Sequence, residues 1–166
     1  MAKIGDAVFD TGPFLHLHEV HALSTLEVIQ KKSITQEIKN ELERYSVPLH
    51  KVKSLSIKQL SLRYKNIAKI LVEAYEIDLG EATAIALAQQ ERISLFFTDD
   101  LEAREVAKRF HLNVHGTLGI LLRAFREKKI SKKEVIIIVK KISNDSTLFL
   151  TSDLVNWILK EIEAYK

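Results

Sequence analysis

Two apolar runs in this chain each end on aspartate and pass at once into a helical stretch. Ala7-Val8-Phe9 leads into Asp10, after which Thr11-Gly12-Pro13 opens a helix. Ile93-Ser94-Leu95-Phe96-Phe97 leads into Thr98-Asp99-Asp100, and residues 101–110 follow with helical character. Both are strand-to-helix junctions, and in open α/β sheets ligand sites gather outside the carboxyl ends of the strands. Like charges at close range resist joint ionisation unless a cation or hydrogen-bond donors stabilise them. Two strand ends loaded with aspartate therefore predict one acidic pocket.

The rest of the chain continues the alternation. Residues 23–30 read as a short helix, and Ser33-Ile34 as a short strand leading to a helix over 35–45, with Thr35 as its N-cap. Stretch 46–56 has no readable periodicity. Helical spacing returns over 60–75, Asp78-Leu79-Gly80 interrupts it, and an alanine-rich helix is predicted over 81–90. A short strand at Asn113-Val114, a helix over 118–127, a capping box at Ser131–Glu134 ahead of 135–142, and a last helix over 154–165 complete the pattern. Strands alternating with helices predict an α/β fold with a mostly parallel, helix-covered sheet.

At 166 residues the chain suits one domain with a real core, spanning 1–166, with 130–166 as a helical C-terminal extension. Apolar residues at 46% and charged residues at 28% indicate a globular chain. With no cysteine, a disulfide framework and a thiol nucleophile are both excluded, which fits a cytoplasmic protein. Met1-Ala2-Lys3-Ile4-Gly5 lacks the apolar core of a secretory signal. Apolar runs such as Val135-Ile136-Ile137-Ile138-Val139 fall far short of the ~20 residues that cross a bilayer, so no membrane role is expected. The net charge of +3 is weak evidence for a polyanionic partner. Pairs such as Lys31-Lys32 and Lys140-Lys141 read as solvated surface.

Mg²⁺ and Mn²⁺ prefer hard oxygen ligands, and such a centre can activate water and stabilise the oxygens of a phosphodiester. The chemistry needs three or four carboxylates converging from different elements. Asp10, Asp99 and Asp100 stand at strand ends. Glu81 lies in a first helical turn, where it serves equally well as a macrodipole complement. Glu41 faces inward only if its helix packs by Ile38 and Leu42; otherwise it is a surface carboxylate, as Glu37 and Glu43 are expected to be. Arg104, one turn after Asp100, is expected in a structural ion pair, with Asp100 or substrate phosphate as the contacts open to it.

Other chemistries fit less well. Asp10-Thr11-Gly12 matches the aspartic-protease triplet, but that triplet needs a duplicate within an all-β fold. A phosphoacceptor role for Asp10 would want a second aspartate where Gly12 stands, or an N-terminal acidic pair where only Asp6 is found. No H-E-x-x-H or H-x-x-E-H spacing occurs among the six histidines, which read as surface or partly packed.

The ordered set of motifs is more specific than any one of them. Val8-Phe9-Asp10-Thr11-Gly12-Pro13-Phe14-Leu15, Ile34-Thr35-Gln36-Glu37-Ile38-Lys39-Asn40-Glu41-Leu42, Leu79-Gly80-Glu81-Ala82-Thr83-Ala84, Phe97-Thr98-Asp99-Asp100-Leu101 and Val114-His115-Gly116-Thr117-Leu118-Gly119 follow one another in the order of the PIN-domain nucleases. Over residues 7–129 the chain resembles that family, and within it the VapC-like prokaryotic and archaeal branch. The resemblance implies a three-layer α/β/α fold and an acidic ring at Asp10, Glu41, Glu81 and Asp100, with Thr11 and Thr98 as supporting hydroxyls. Glu81 stands where many relatives carry aspartate. Asp99 falls on the variable position, free to tune charge, to hold a second ion through water or to cap the next helix. The resemblance further implies Mg²⁺ or Mn²⁺ dependence, cleavage of RNA, a homodimer, and the toxin role of a toxin–antitoxin pair. The tail 135–166 matches less well and is read as a dimer or antitoxin surface. A catalytically weak PIN-like module that binds RNA or a protein partner is the alternative.

Overall fold

The computed structural model describes residues 4–166. Met1 to Lys3, part of the stretch read above for a leader, lie outside the described residues. Five parallel strands form one sheet in the order β3-β2-β1-β4-β5, where β1 is Ile4–Phe9, β2 Ile29–Thr35, β3 Leu55–Lys58, β4 Leu95–Phe97 and β5 Asn113–His115. The chain builds outward from β1 to β3, then returns to place β4 on the other side of β1. Strand order therefore reverses between β1 and β4. Register pairs Val8 with Phe96 and Phe9 with Phe97. The residues that follow, Asp10 and Thr98, consequently leave the sheet side by side.

Strand alternation divides the core in two. Phe9 and Phe97 stack at 4.8 Å on one face, beneath α1 (Thr11–Glu19), α6 (Thr117–Arg126), α7 (Lys132–Asp145) and α8 (Ser152–Ala164). Val8 and Phe96 point to the other face, covered by α3 (Leu62–Tyr75), α4 (Leu79–Gln90) and α5 (Leu101–Arg109). The result is a three-layer α/β/α fold. The C-terminal helices are part of this packing: Val135, Val139, Ile142, Ile158 and Ile162 are buried in the first core. Among the described residues no helix is long and apolar enough to cross a membrane.

Several local expectations change. The helix expected over 23–30 is a 3₁₀ segment, Leu23–Val28, and Ile29 and Gln30 already belong to β2. That strand has seven residues where two were expected, because Gln30-Lys31-Lys32 hides its apolar character. Lys32, read as half of a solvated pair, is 2% exposed; its Nζ donates to the carbonyls of Ile29 at 2.9 Å and Leu26 at 3.3 Å. The edge strand β3 emerges from the end of the unreadable stretch. It is half exposed and shows no clean alternation. Helix α4 starts at Leu79, with Asp78 as N-cap, so Asp78-Leu79-Gly80 opens that helix.

Candidate metal centre

Helix α2 (Gln36–Arg44) crosses the carboxyl end of the sheet with Ile38 and Leu42 fully buried, and this turns Glu41 inward. Thr35 caps it, accepting from Ile38 N at 3.3 Å. Gly80 lets α4 come close to α2: a Cβ there would sit 3.1 Å from Ile38 Cδ1 and 3.2 Å from Glu41 Oε2. Glu81, the next residue, is thereby brought to the same opening. Asp10, Glu41, Glu81, Asp99, Asp100 and Thr11 all line one cavity of about 270 Å³ at the β1–β4 switch point. Thr98 and Arg104 lie behind it.

Two threonines tie the carboxylates together. Asp10 accepts from Thr11 N at 2.7 Å and from Thr98 Oγ1 at 2.9 Å. The fully buried Thr98 hydroxyl in turn accepts from Asp100 N at 3.2 Å, so one hydroxyl sits between two aspartates. Thr11 Oγ1 donates to Glu41 Oε2 at 2.8 Å. Asp100 caps α5, accepting from Ala103 N through Oδ1 at 2.8 Å. Glu81 accepts from Asp78 N through Oε2 at 3.1 Å in the capping box of α4. Among the described residues, Asp100 Oδ2, Glu81 Oε1 and Glu41 Oε1 accept no hydrogen bond.

The electrostatics are those of a site short of positive charge. Burial pushes the Asp10 carboxyl up to about 6, with Glu41 and Asp100 adding to the rise against the hydrogen bonds from Thr11 and Thr98. Burial, then the charges of Asp10 and Asp100, push Glu81 up to about 8. Such a donor set, all carboxylate oxygen and mutually repelling, fits Mg²⁺ or Mn²⁺ in kind. Among the described residues no three ligating groups stand close enough to form a ready-made cluster. The bonds from Thr11, Thr98 and the helix amides fix Asp10, Glu41, Asp100 and Glu81 around the cavity.

Asp99 has other partners. His16 Nδ1 lies 2.7 Å from its Oδ2, Thr117 Oγ1 donates to Oδ2 at 2.5 Å, and Thr117 N donates to Oδ1 at 2.7 Å. Burial pushes its carboxyl up, but the His16 and Thr117 bonds together outweigh that and hold it below the usual range. Asp99 thus clamps α1 to the start of α6, and the cap of α5 is Asp100. His16, grouped above with surface or partly packed histidines, is 11% exposed and lines the cavity. Its i+4 spacing from Gly12 placed it on that helix face; its partner, far along the chain, left no local signal. The ion pair expected of Arg104 does not form among the described residues. Asp100 Oδ1 is taken up by the cap of its own helix, and Arg104 Nε instead donates to the Thr98 carbonyl at 3.2 Å.

This clamp leaves no room at Gly116, where a Cβ would lie 2.6 Å from both Arg104 Nη2 and Asp99 Oδ1, and 3.3 Å from the Thr98 carbonyl oxygen. Arg104 can swing away, but Asp99 is pinned by three bonds. Gly116→Ala is expected to lower stability by about 1–3 kcal/mol, read as a lower midpoint in denaturant melts.

A parallel α/β/α sheet with carboxylates gathered at its switch point is the architecture of a nuclease-like PIN fold. The sequence model described as a PIN domain matches residues 6–164, and the chain belongs to the PIN-domain family. PIN domains are in general nucleases, hydrolases acting on nucleic acid, and typically use divalent metals. No curated protein matches the chain.

Proposed function

We propose that this protein is a divalent-metal-dependent endoribonuclease that hydrolyses phosphodiester bonds over Asp10. The observation that carries the reading is the convergence of Asp10, Glu41, Glu81 and Asp100 from four separate elements onto one cavity, cross-tied by Thr11 and Thr98. Asp10, Glu81 and Asp100 would hold Mg²⁺ or Mn²⁺, directly or through water, with Glu41 completing the ring; the ion supplies water activation and charge stabilisation at the phosphate. Thr98 sets the spacing of Asp10 and Asp100, and Thr11 sets that of Asp10 and Glu41. Glu81, pushed up to about 8 by burial and by the charges of Asp10 and Asp100, is the carboxyl whose ionised form a bound cation would favour most. Asp99 acts on the site indirectly, by fixing His16 at the cavity wall.

The test is cleavage of single-stranded RNA and of tRNA with added Mn²⁺ or Mg²⁺, comparing wild type with Asp10→Asn and Asp100→Asn. Full activity in both variants would sink the proposal, and no cleavage by wild type in either metal would leave a binding module as the reading. The finer assignment is a cytoplasmic, VapC-like toxin, a homodimer held in check by an antitoxin protein. Support comes from the outward faces of the C-terminal helices, where Ile137, Leu154 and Trp157 are exposed. Light scattering that returned a monomer at micromolar concentration would remove the dimer. Growth unharmed by overexpression of the active enzyme would remove the toxin.

A further inference from the structure

Phenylalanine that contributes to a core is buried, and six of the seven here obey that rule. Phe9, Phe14, Phe96 and Phe97 are buried, and Phe110 and Phe125 pack against the two cores. Phe149 is 85% exposed. It sits in the connection between α7 and α8, next to Leu148 and Thr147, which line the acidic cavity. Side-chain burial alternates along this extended stretch. Leu148 and Leu150 turn toward the core, while Thr147 and Phe149 turn outward.

The connection is held in place rather than loose. Glu19 of α1 accepts from Thr147 N through Oε2 and from Thr147 Oγ1 through Oε1, both at 2.7 Å. Ser146 Oγ donates to Ile142 O at 2.6 Å and accepts from Leu148 N at 3.2 Å. Thr151 then caps α8 through Leu154 N at 3.3 Å. A fixed loop therefore holds an aromatic ring in solvent, one residue on from the cavity-lining Leu148. A second ring lines the cavity itself: Tyr45, 54% exposed, ends α2 one turn after Glu41.

We propose that Phe149, together with Tyr45, is the base-stacking platform of this site, seating unpaired bases of the strand whose phosphate lies over the carboxylates. The inference rests on the ribonuclease reading. Every base offers a π-face to an aromatic ring, whereas bases inside a duplex are already stacked on their neighbours. The carboxylates repel a phosphate backbone, so stacking at the rim supplies attraction that the unmetallated cavity lacks. A ring held by a pinned loop also loses little freedom on binding.

The test uses a short single-stranded RNA carrying 2-aminopurine, with a blunt double-stranded RNA of the same length as comparison. Binding is followed by anisotropy and by 2-aminopurine fluorescence, in chelator and in Mn²⁺, for wild type, Phe149→Ala and Phe149→Trp. The expected result is fluorescence quenching on wild type. Phe149→Ala should lose that quenching and bind about tenfold more weakly, Phe149→Trp should restore both, and the duplex should not distinguish the three proteins. Cleavage by Phe149→Ala should show a raised KM with kcat little changed. Equal binding and quenching by wild type and Phe149→Ala would overturn the inference while leaving the ribonuclease reading standing. So would an equal loss of duplex binding, or a change confined to self-association in light scattering, which would make Phe149 a protein contact. If wild type quenches and Phe149→Ala does not, yet neither cleaves, the stacking platform survives and the nuclease reading fails.

Discussion

Asp10→Asn is expected to lower metal-dependent RNA cleavage by about 10²–10³-fold, the loss typical of removing one charge-stabilising group from a reaction centre. Asp10 is 6% exposed and follows directly on β1. Asparagine keeps a carbonyl oxygen for the Thr11 amide. Its amide can donate to Thr98 Oγ1, whose second lone pair still serves the Asp100 amide, while the Thr98 proton loses Asp10 as its acceptor. The fold is therefore retained while the negative charge is lost. Glu41→Gln should cost far less, because Glu41 hangs on the Thr11 hydroxyl at the rim and only completes the ring. Single-turnover rates at saturating Mn²⁺ measure both. A Glu41→Gln loss larger than that of Asp10→Asn would reverse the proposed order of importance.

The second large effect is on stability, and its sign follows from the two raised carboxyls. Asp10 rises from 3.8 to about 6 and Glu81 from 4.5 to about 8. Folding thus favours their protonated forms. That contribution is fully present below the unfolded values and is lost as pH rises through about 6 and then about 8. In chelator, the wild-type Tm should fall steadily between pH 5 and pH 9. Asp10→Asn should flatten the lower part of that fall, and Glu81→Gln the upper part, each being more stable than wild type at pH 9. A divalent cation favours the charged forms and competes with protons, so the rise in Tm with millimolar Mn²⁺ should be small at pH 5 and largest near pH 9. A Tm in chelator that climbs from pH 5 to pH 9, or an Mn²⁺ effect that is larger at pH 5, would contradict the charge balance described here.

Much of the fold was legible because its signals are local. Thr35 and Ser131 announce helix starts through a hydroxyl three residues from the amide it accepts, and both caps form as read. The strand ends at Phe9 and Phe97 show as apolar runs closed by a polar residue. Reading failed where a residue's environment is set by something outside its own turn. Lys32 looked like solvated surface, because the carbonyls that hold its ammonium come from the end of a 3₁₀ segment and the first residue of β2, a junction whose course the sequence does not reveal. The strand β3 was lost at a half-exposed edge, where one-sided burial leaves no clean period. Whether Glu41 faces inward could be stated only as a condition on Ile38 and Leu42, and the packing of α2 meets it.

The adjacent aspartates divide these two kinds of knowledge. By itself the sequence determined that acidic groups end two strands and that helices follow them, since apolar runs, caps and breakers act over one or two turns of chain. Only the tertiary structure decided that Asp100 opens into the cavity while Asp99 bonds His16 and Thr117, and that Thr98 joins Asp10 to Asp100. It also sent Arg104 to a carbonyl and left Phe149 exposed on a loop whose Thr147 and Leu148 line the cavity. A hydrogen bond depends on distance in space. Here that distance is set by which strands lie side by side in a sheet whose order the local pattern does not encode.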